Sequence, residues 1–302
     1  MTAGKLSESM YVQISNRPLW LSHFACLISV SLTIIIVGGV KSAAQCAPPP
    51  AYTARLQQLD TQVSGFQLYV ERGKAYLEIK CLAEARSSFE SASANADTEK
   101  GEVKENLKAL AQKFLDLTLA YEALNAGRLG EAKTLLLKCS DEGLPPEISV
   151  QASFALAELL IQTPDDTLWS SLEPNLRRLD EVGLWQARRY RLIYGLTAQN
   201  ATERIGQLTG TLANDTPVQT RLEDEIILAE ILRLAGRTSE AELFAKNIER
   251  EVGRKAISPD LRVQYIRVCA GIASVETRNG DQAARLRYQT YLSAMGNIYA
   301  SP

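Results

Sequence analysis

Between Leu19 and Val40 the chain runs 22 residues without a formal charge, its longest such stretch. Downstream, apolar positions recur in alternating threes and fours, the period of helices buried along one face. Leu56, Leu59, Val63, Phe66, Val70, Gly73 and Leu77 make one such seam, which predicts a continuous helix over residues 52–79 with Gly65 inside it. At 1.5 Å per residue that helix would hold its ends roughly 40 Å apart, so the same reading predicts that Cys46 does not reach Cys81. The alternative makes Gly65 a cap between two antiparallel helices, which would bring those cysteines together; the continuous helix is the favoured reading. Further on, Asn125-Ala126-Gly127-Arg128 stops one helix and starts another, and Leu144-Pro145-Pro146 closes that unit.

The units are self-similar. Tyr69, Gly73, Tyr76, Ala85, Phe89 and Ala92 stand at the spacing of an aromatic, a Leu-Gly pair, a Tyr, then Ala with Phe four residues later, and in this the segment resembles the tetratricopeptide repeat. Arg72 stands where that family usually has Leu. A second unit carries Leu119, Ala120, Gly127, Ala132 and Leu136; a third carries Leu228, Ala229, Gly236 and Ala241; a vaguer fourth surrounds Gly280 and Ala284. Gly127 to Ala132 and Gly236 to Ala241 share one five-residue offset. Residues 147–180 and 184–213 have hairpin-like spacing without a motif. The resemblance implies an all-α fold, an α-solenoid of stacked antiparallel helix hairpins, TPR-like and partly degenerate, behind an N-terminal hydrophobic signal or anchor helix. It also implies that Gly73 and Ala85 are small where helices cross closely, and that Tyr76 and Phe89 fill the space between hairpins. Scarce Pro between Pro50 and Pro145, with abundant Ala and Leu, agrees with long helices.

Lys5 and Arg17 precede the apolar run, its densest part is Phe24 to Val37, and Ser42-Ala43-Ala44 supplies the small residues of a cleavage site. Residues 1–44 therefore read as a signal peptide cleaved after Ala44, or as a retained anchor, since about 20 apolar residues also span a bilayer. Either reading exports the body, to the periplasm or to a membrane-anchored position facing it, with membrane contact only through Leu19 to Val40 if that segment is kept. Gln45 departs from the small residue that a lipid-modified Cys46 would need before it. Residues 45–51 form a Pro-rich extended spacer, 52–296 the repeat domain and 297–302 a tail. Export would permit disulfides among Cys46, Cys81, Cys139 and Cys269, yet the expected helix lengths set them apart, and Cys269 reads as a core residue beside Tyr265, Ile266, Ile272 and Ala273.

The net charge is -2; since Lys5, Arg17 and Lys41 against Glu8 fall in the leader, a processed chain carries -4, which is no footprint for nucleic acid. His23, the single histidine, lies in the leader. The body is thereby without histidine-dependent acid–base chemistry or nucleophile activation. Neither a GxGxxG nor a GxxxxGK[ST] phosphate loop occurs. The acids Asp165 and Asp166 follow Pro164 at an expected helix start, where capping explains them. Arg177, Arg178, Arg188, Arg189 and Arg191 are the one basic concentration, read as a solvated face balanced by Asp180, Glu181 and Glu203, with reception of a carboxylate-rich partner as the functional alternative.

The expectation is thus a non-enzymatic protein–protein interaction scaffold of the cell envelope, without cofactor or metal, binding a peptide or partner helix on a concave groove. On the family's positions that groove would be lined by Val70, Lys74, Leu117, Tyr121 and Asn125, unless they pack under the preceding helix. An anchored assembly factor differs only in keeping the leader. A helical cell-wall glycan enzyme is the remaining alternative, disfavoured because repeats expected to run to Gly296 leave no room for a catalytic domain.

Overall fold

The computed structural model of the chain describes residues 46, 48, 50–141, 143–210, 217–252, 259–278 and 280–291 except 281, 285 and 288. The expected signal segment, residues 1–44, and the tail, 297–302, lie outside the described residues. Those described are helical, with no strand among them, so the chain is all-α. In order the helices are α1 (Pro50–Gln62), α2 (Gly65–Glu78), α3 (Leu82–Ala96), α4 (Gly101–Asn125), α5 (Leu129–Cys139), α6 (Pro146–Gln162), α7 (Asp166–Glu181), α8 (Trp185–Ile193), α9 (Ala201–Thr209), α10 (Val218–Leu234), α11 (Thr238–Val252) and α12 (Pro259–Arg278). Among the described residues no helix is long and apolar enough to cross a membrane.

The continuous helix over 52–79 is not what forms. Val63 and Ser64 leave the helix and Gly65 takes φ +62°, so the chain turns back and α2 lies against α1. Arg55 pairs with Glu78 at 2.6 Å and Arg72 pairs with Asp60, an antiparallel register in which the first residue's number rises as its partner's falls. A seam with helical phase reads alike whether one helix carries it or two short ones share a buried side; Leu56, Leu59, Val63 and Phe66 are all only partly exposed. The fold-back overturns the expected separation of the cysteines. Cys46 and Cys81 are joined by a disulfide with Cα atoms 5.7 Å apart, and the Cys46 backbone N–H donates to Glu84 Oε1 at 2.8 Å. The expected spacer also ends earlier, because Pro50 opens α1, a place where its missing N–H removes no helical hydrogen bond.

Turn chemistry sets the next hairpins. Gly127 N–H donates to Leu124 O and Arg128 N–H to Ala123 O, at 3.0 and 2.8 Å; Gly236 and Arg237 repeat the pair to Arg233 O and Leu232 O, at 3.1 and 2.8 Å. Both glycines sit at positive φ, +71° and +80°, which this C-terminal cap requires. Lys80 and Cys81 make the same two bonds to Leu77 O and Tyr76 O, with Lys80 at φ +59° in the glycine's place. Five residues beyond each left-handed residue stands Ala85, Ala132 or Ala241, each fully buried. The offset seen in two units thus holds in three. The stretch 147–180 supplies the packed pair α6–α7, and 184–213 supplies α8 and α9.

Helices adjacent in sequence pack together along most of the chain, and a second order overlies this: α2 touches α4, α4 touches α6, α6 touches α8, α8 touches α10 and α10 touches α12. The even-numbered helices make one unbroken row. In its first part the core is apolar and tight. Phe89 of α3 stacks on Phe114 of α4, ring centroids 4.9 Å apart, and a Cβ on Gly73 of α2 would come within 2.4 Å of the Phe89 ring. Gly73 is therefore small for the reason the repeat resemblance implies. Cys139 and Cys269 are buried, and burial pushes each thiol up to about 11. They are protonated and inert at neutral pH.

Candidate functional site

The five residues expected to line a groove lie on neighbouring even helices, Val70 and Lys74 on α2 and Leu117, Tyr121 and Asn125 on α4. They do not form one open surface. Val70 and Leu117 are 5% and 0% exposed, so both are core residues and their part is packing. Tyr121 is half-buried beneath the Lys80 ammonium, 3.9 Å from its ring centroid, and burial raises its hydroxyl pKa. Lys74 is held by Glu71 at 3.0 Å and Glu147 at 3.7 Å; Asn125 is exposed at the end of α4. Lys74, Tyr121 and Asn125 keep surface that a ligand can reach.

Farther along the row a polar ladder crosses four helices. Arg189 of α8 donates to both Glu230 oxygens of α10, each at 2.7 Å, and to Glu158 Oε2 of α6 at 3.1 Å. Gln264 Nε2 of α12 donates to Glu230 Oε2 at 2.8 Å. Arg189, Glu230 and Gln264 are all buried. A bidentate guanidinium with all three of its nitrogens engaged is a form in which a buried charge is tolerated, and removing one member strands the other. Burial pushes the Glu158 carboxyl up, but Arg189 and Arg267 outweigh it and hold it below its ordinary value.

The solvated-face reading of the arginine run holds for Arg177 and Arg178, which are exposed on α7, and is corrected for Arg188, Arg189 and Arg191. Arg188 bonds Asp180 at 3.0 Å and also Asp224, which is fully buried; Arg191 bonds Asp180 at 2.7 Å and Glu173 at 3.2 Å. Asp180 is a partner as expected, while Glu173, Asp224, Glu158 and Glu230 take the places given to Glu181 and Glu203. These partners come from up to 41 residues away, beyond the reach of helical spacing. The capping reading holds for Asp165, which accepts from Leu168 N–H at 3.1 Å and pairs with Lys133. Asp166 instead accepts from the Tyr194 hydroxyl at 2.8 Å; burial and that carboxylate push the hydroxyl up to about 12.

Beyond the ladder, four arginines on α10 and α12 have no carboxylate partner among the described residues: Arg233, Arg262, Arg267 and Arg278. Arg233 crosses to Gly271 of α12, where a Cβ would meet its Cδ and Nε at 2.8 Å, and its Nε is buried without an acceptor. Burial first, then Arg189 and Arg278, lower its pKa against the pull of Glu230. Arg267, Gly271 and Arg278 are spaced four and seven apart, one stripe of α12.

A separate cleft of about 590 Å³ opens between α7, α8 and α9, lined among others by Trp169, Glu173, Asp180, Arg191, Tyr194 and Arg204. Trp169 and Tyr194 stack with centroids 3.9 Å apart and planes within 4°. Cys46, Cys81 and Glu84 are the one group of three potential metal-ligand residues among the described residues, and the disulfide occupies both sulfurs, leaving no thiolate. No family model, no characterised protein and no solved structure matches the chain.

Proposed function

We propose that the chain is an exported, non-enzymatic binding scaffold: a TPR-like α-solenoid whose even-numbered helices line a concave groove that holds an extended segment or helix of an acidic protein partner. The observation that carries this reading is the unbroken row. Helices that touch their next-but-one neighbours on one side are closer together there, and a stack closer on one side curves toward it. Lys74, Tyr121 and Asn125 stand toward one end of that row, and Arg233, Arg267 and Arg278 at the other. The exposed guanidiniums of Arg267 and Arg278 supply the attraction: a partner carboxylate gives each an anionic partner, in a place where Glu158 and Glu230 are already satisfied by Arg189. Export is supported by the disulfide at Cys46, two residues after the expected cleavage point, because such bonds persist in oxidising compartments.

The test is photo-crosslinking in cells. A crosslinking residue in place of Arg278, exposed on α12, is expected to give a discrete adduct in the envelope fraction; the same residue in place of Leu243, exposed on α11, is expected to give none. Adducts from Leu243 alone, or from neither position, contradict the groove.

A further inference from the structure

We propose that the cleft between α7, α8 and α9 is a binding site for a small polyhydroxylated carboxylate, a sugar acid. Arg204 is the receptor for the ligand's carboxylate. Its Nη1 donates to Arg191 O at 3.3 Å, and among the described residues it makes no ion pair, which leaves most of its five donors for a ligand. The other cleft arginines are committed, Arg188 to Asp180 and Asp224, Arg191 to Asp180 and Glu173.

The cleft's acids decide what the rest of the ligand is. Asp180 accepts one bond on each oxygen from Arg188 and Arg191, and Glu173 accepts from Arg177 and Arg191. A carboxylate has about four acceptor sites; Glu173 receives four bonds in all from Arg177 and Arg191, whereas Asp180 receives two and retains lone pairs turned toward neither arginine. A purely aromatic acid filling the cleft would strip water from those lone pairs and return no hydrogen bond, at a desolvation penalty that disfavours it. Hydroxyl groups return those bonds. The stacked Trp169 and Tyr194 add an apolar wall, suited to the C–H faces of a saturated ring. At about 590 Å³ the cleft lies within the range of small-molecule sites.

Calorimetry on the processed chain, residues 45–302, uses glucuronate, glucose and benzoate as probes. Glucuronate is expected to bind, glucose and benzoate each at least about tenfold more weakly, since each lacks one half of the required chemistry. Arg204→Gln is expected to weaken glucuronate about tenfold or more at an unchanged melting temperature, and Arg204→Lys to restore part of the loss. No binding of glucuronate at millimolar concentrations, or binding indifferent to Arg204→Gln in a chain of parental stability, overturns the site. Benzoate binding as tightly as glucuronate overturns the sugar-acid assignment. Should Arg204→Gln prove unstable, saturation-transfer contacts from glucuronate to Trp169 in the parent chain decide the matter, and their absence counts against the cleft.

Discussion

The two ends of the even-helix row are held together by different means. Between α2 and α6 the contacts are small-to-large and apolar, as where Gly73 receives Phe89 and Phe89 lies on Phe114, with a disulfide closing the outer edge. Between α6 and α12 buried ions join the apolar contacts, with Arg189, Glu230 and Gln264 buried in series and Asp224 buried against Arg188. An apolar joint tolerates a change in proportion to the volume altered. A buried ionic joint fails disproportionately when one member is lost, because the survivor is left charged and dry.

The largest effect should therefore come from Glu230→Ala, which strands Arg189 and Gln264 and is expected to destabilise by about 3–5 kcal/mol, read by urea unfolding. Replacing Glu230 and Arg189 together by Met and Leu should recover most of that loss. A double variant as unstable as the single one would show that the ladder is not a self-contained unit. Reduction of Cys46–Cys81, or Cys46→Ser with Cys81→Ser, comes next: the bond spans 35 residues, a loop whose closure is worth about 3–4 kcal/mol. Hydrogen exchange should then rise in α1 and α2 before it rises in α10; a uniform rise would mean that the N-terminal edge is not a separate joint.

Ala85→Trp tests the apolar joint with an overpacking penalty of about 1–3 kcal/mol or more, since Ala85 is fully buried. An unchanged melting temperature would remove Ala85 from the hairpin crossing. The smallest effect is on pH dependence. The Glu158 carboxyl is lowered in the folded chain, so its stabilising contribution is complete above the ordinary glutamate value of about 4.3 and fades as pH falls from there through the lower folded value. Glu158→Gln should flatten the stability profile over that acidic window and leave neutral pH nearly flat in both chains.

The same contrast governs how far the sequence could be read. Helix class, the glycine turns at Gly127 and Gly236 and the alanines five residues beyond them are local, each fixed by a left-handed cap and the crossing that follows it. Tight approach at Gly73 was visible for that reason. The break at Gly65 was not, because its seam keeps helical phase across two residues of turn, and with the break went the Cys46–Cys81 bond. Of the groove residues, Leu117 and Val70 carried no mark to separate an exposed apolar side chain from a buried one. Charge partners were the least legible: Arg189 and Glu230 are 41 positions apart, and only the packing of α8 on α10 joins them. A cue did exist in α10, where Glu230 interrupts the apolar run from Ile226 to Leu232.

The central claim is that a partner lies along the even row and is drawn by the arginines at its C-terminal end. Its most direct test is the affinity of the crosslinked partner for three purified variants of the processed chain: Arg267→Glu with Arg278→Glu, Lys74→Glu with Tyr121→Ala, and Leu243→Ser. The arginine pair is expected to lose at least about tenfold, increasingly so at low salt, the Lys74 and Tyr121 pair up to about tenfold, and the Leu243 variant nothing. Loss of binding in Leu243→Ser, with both row variants binding like the parent, would contradict it.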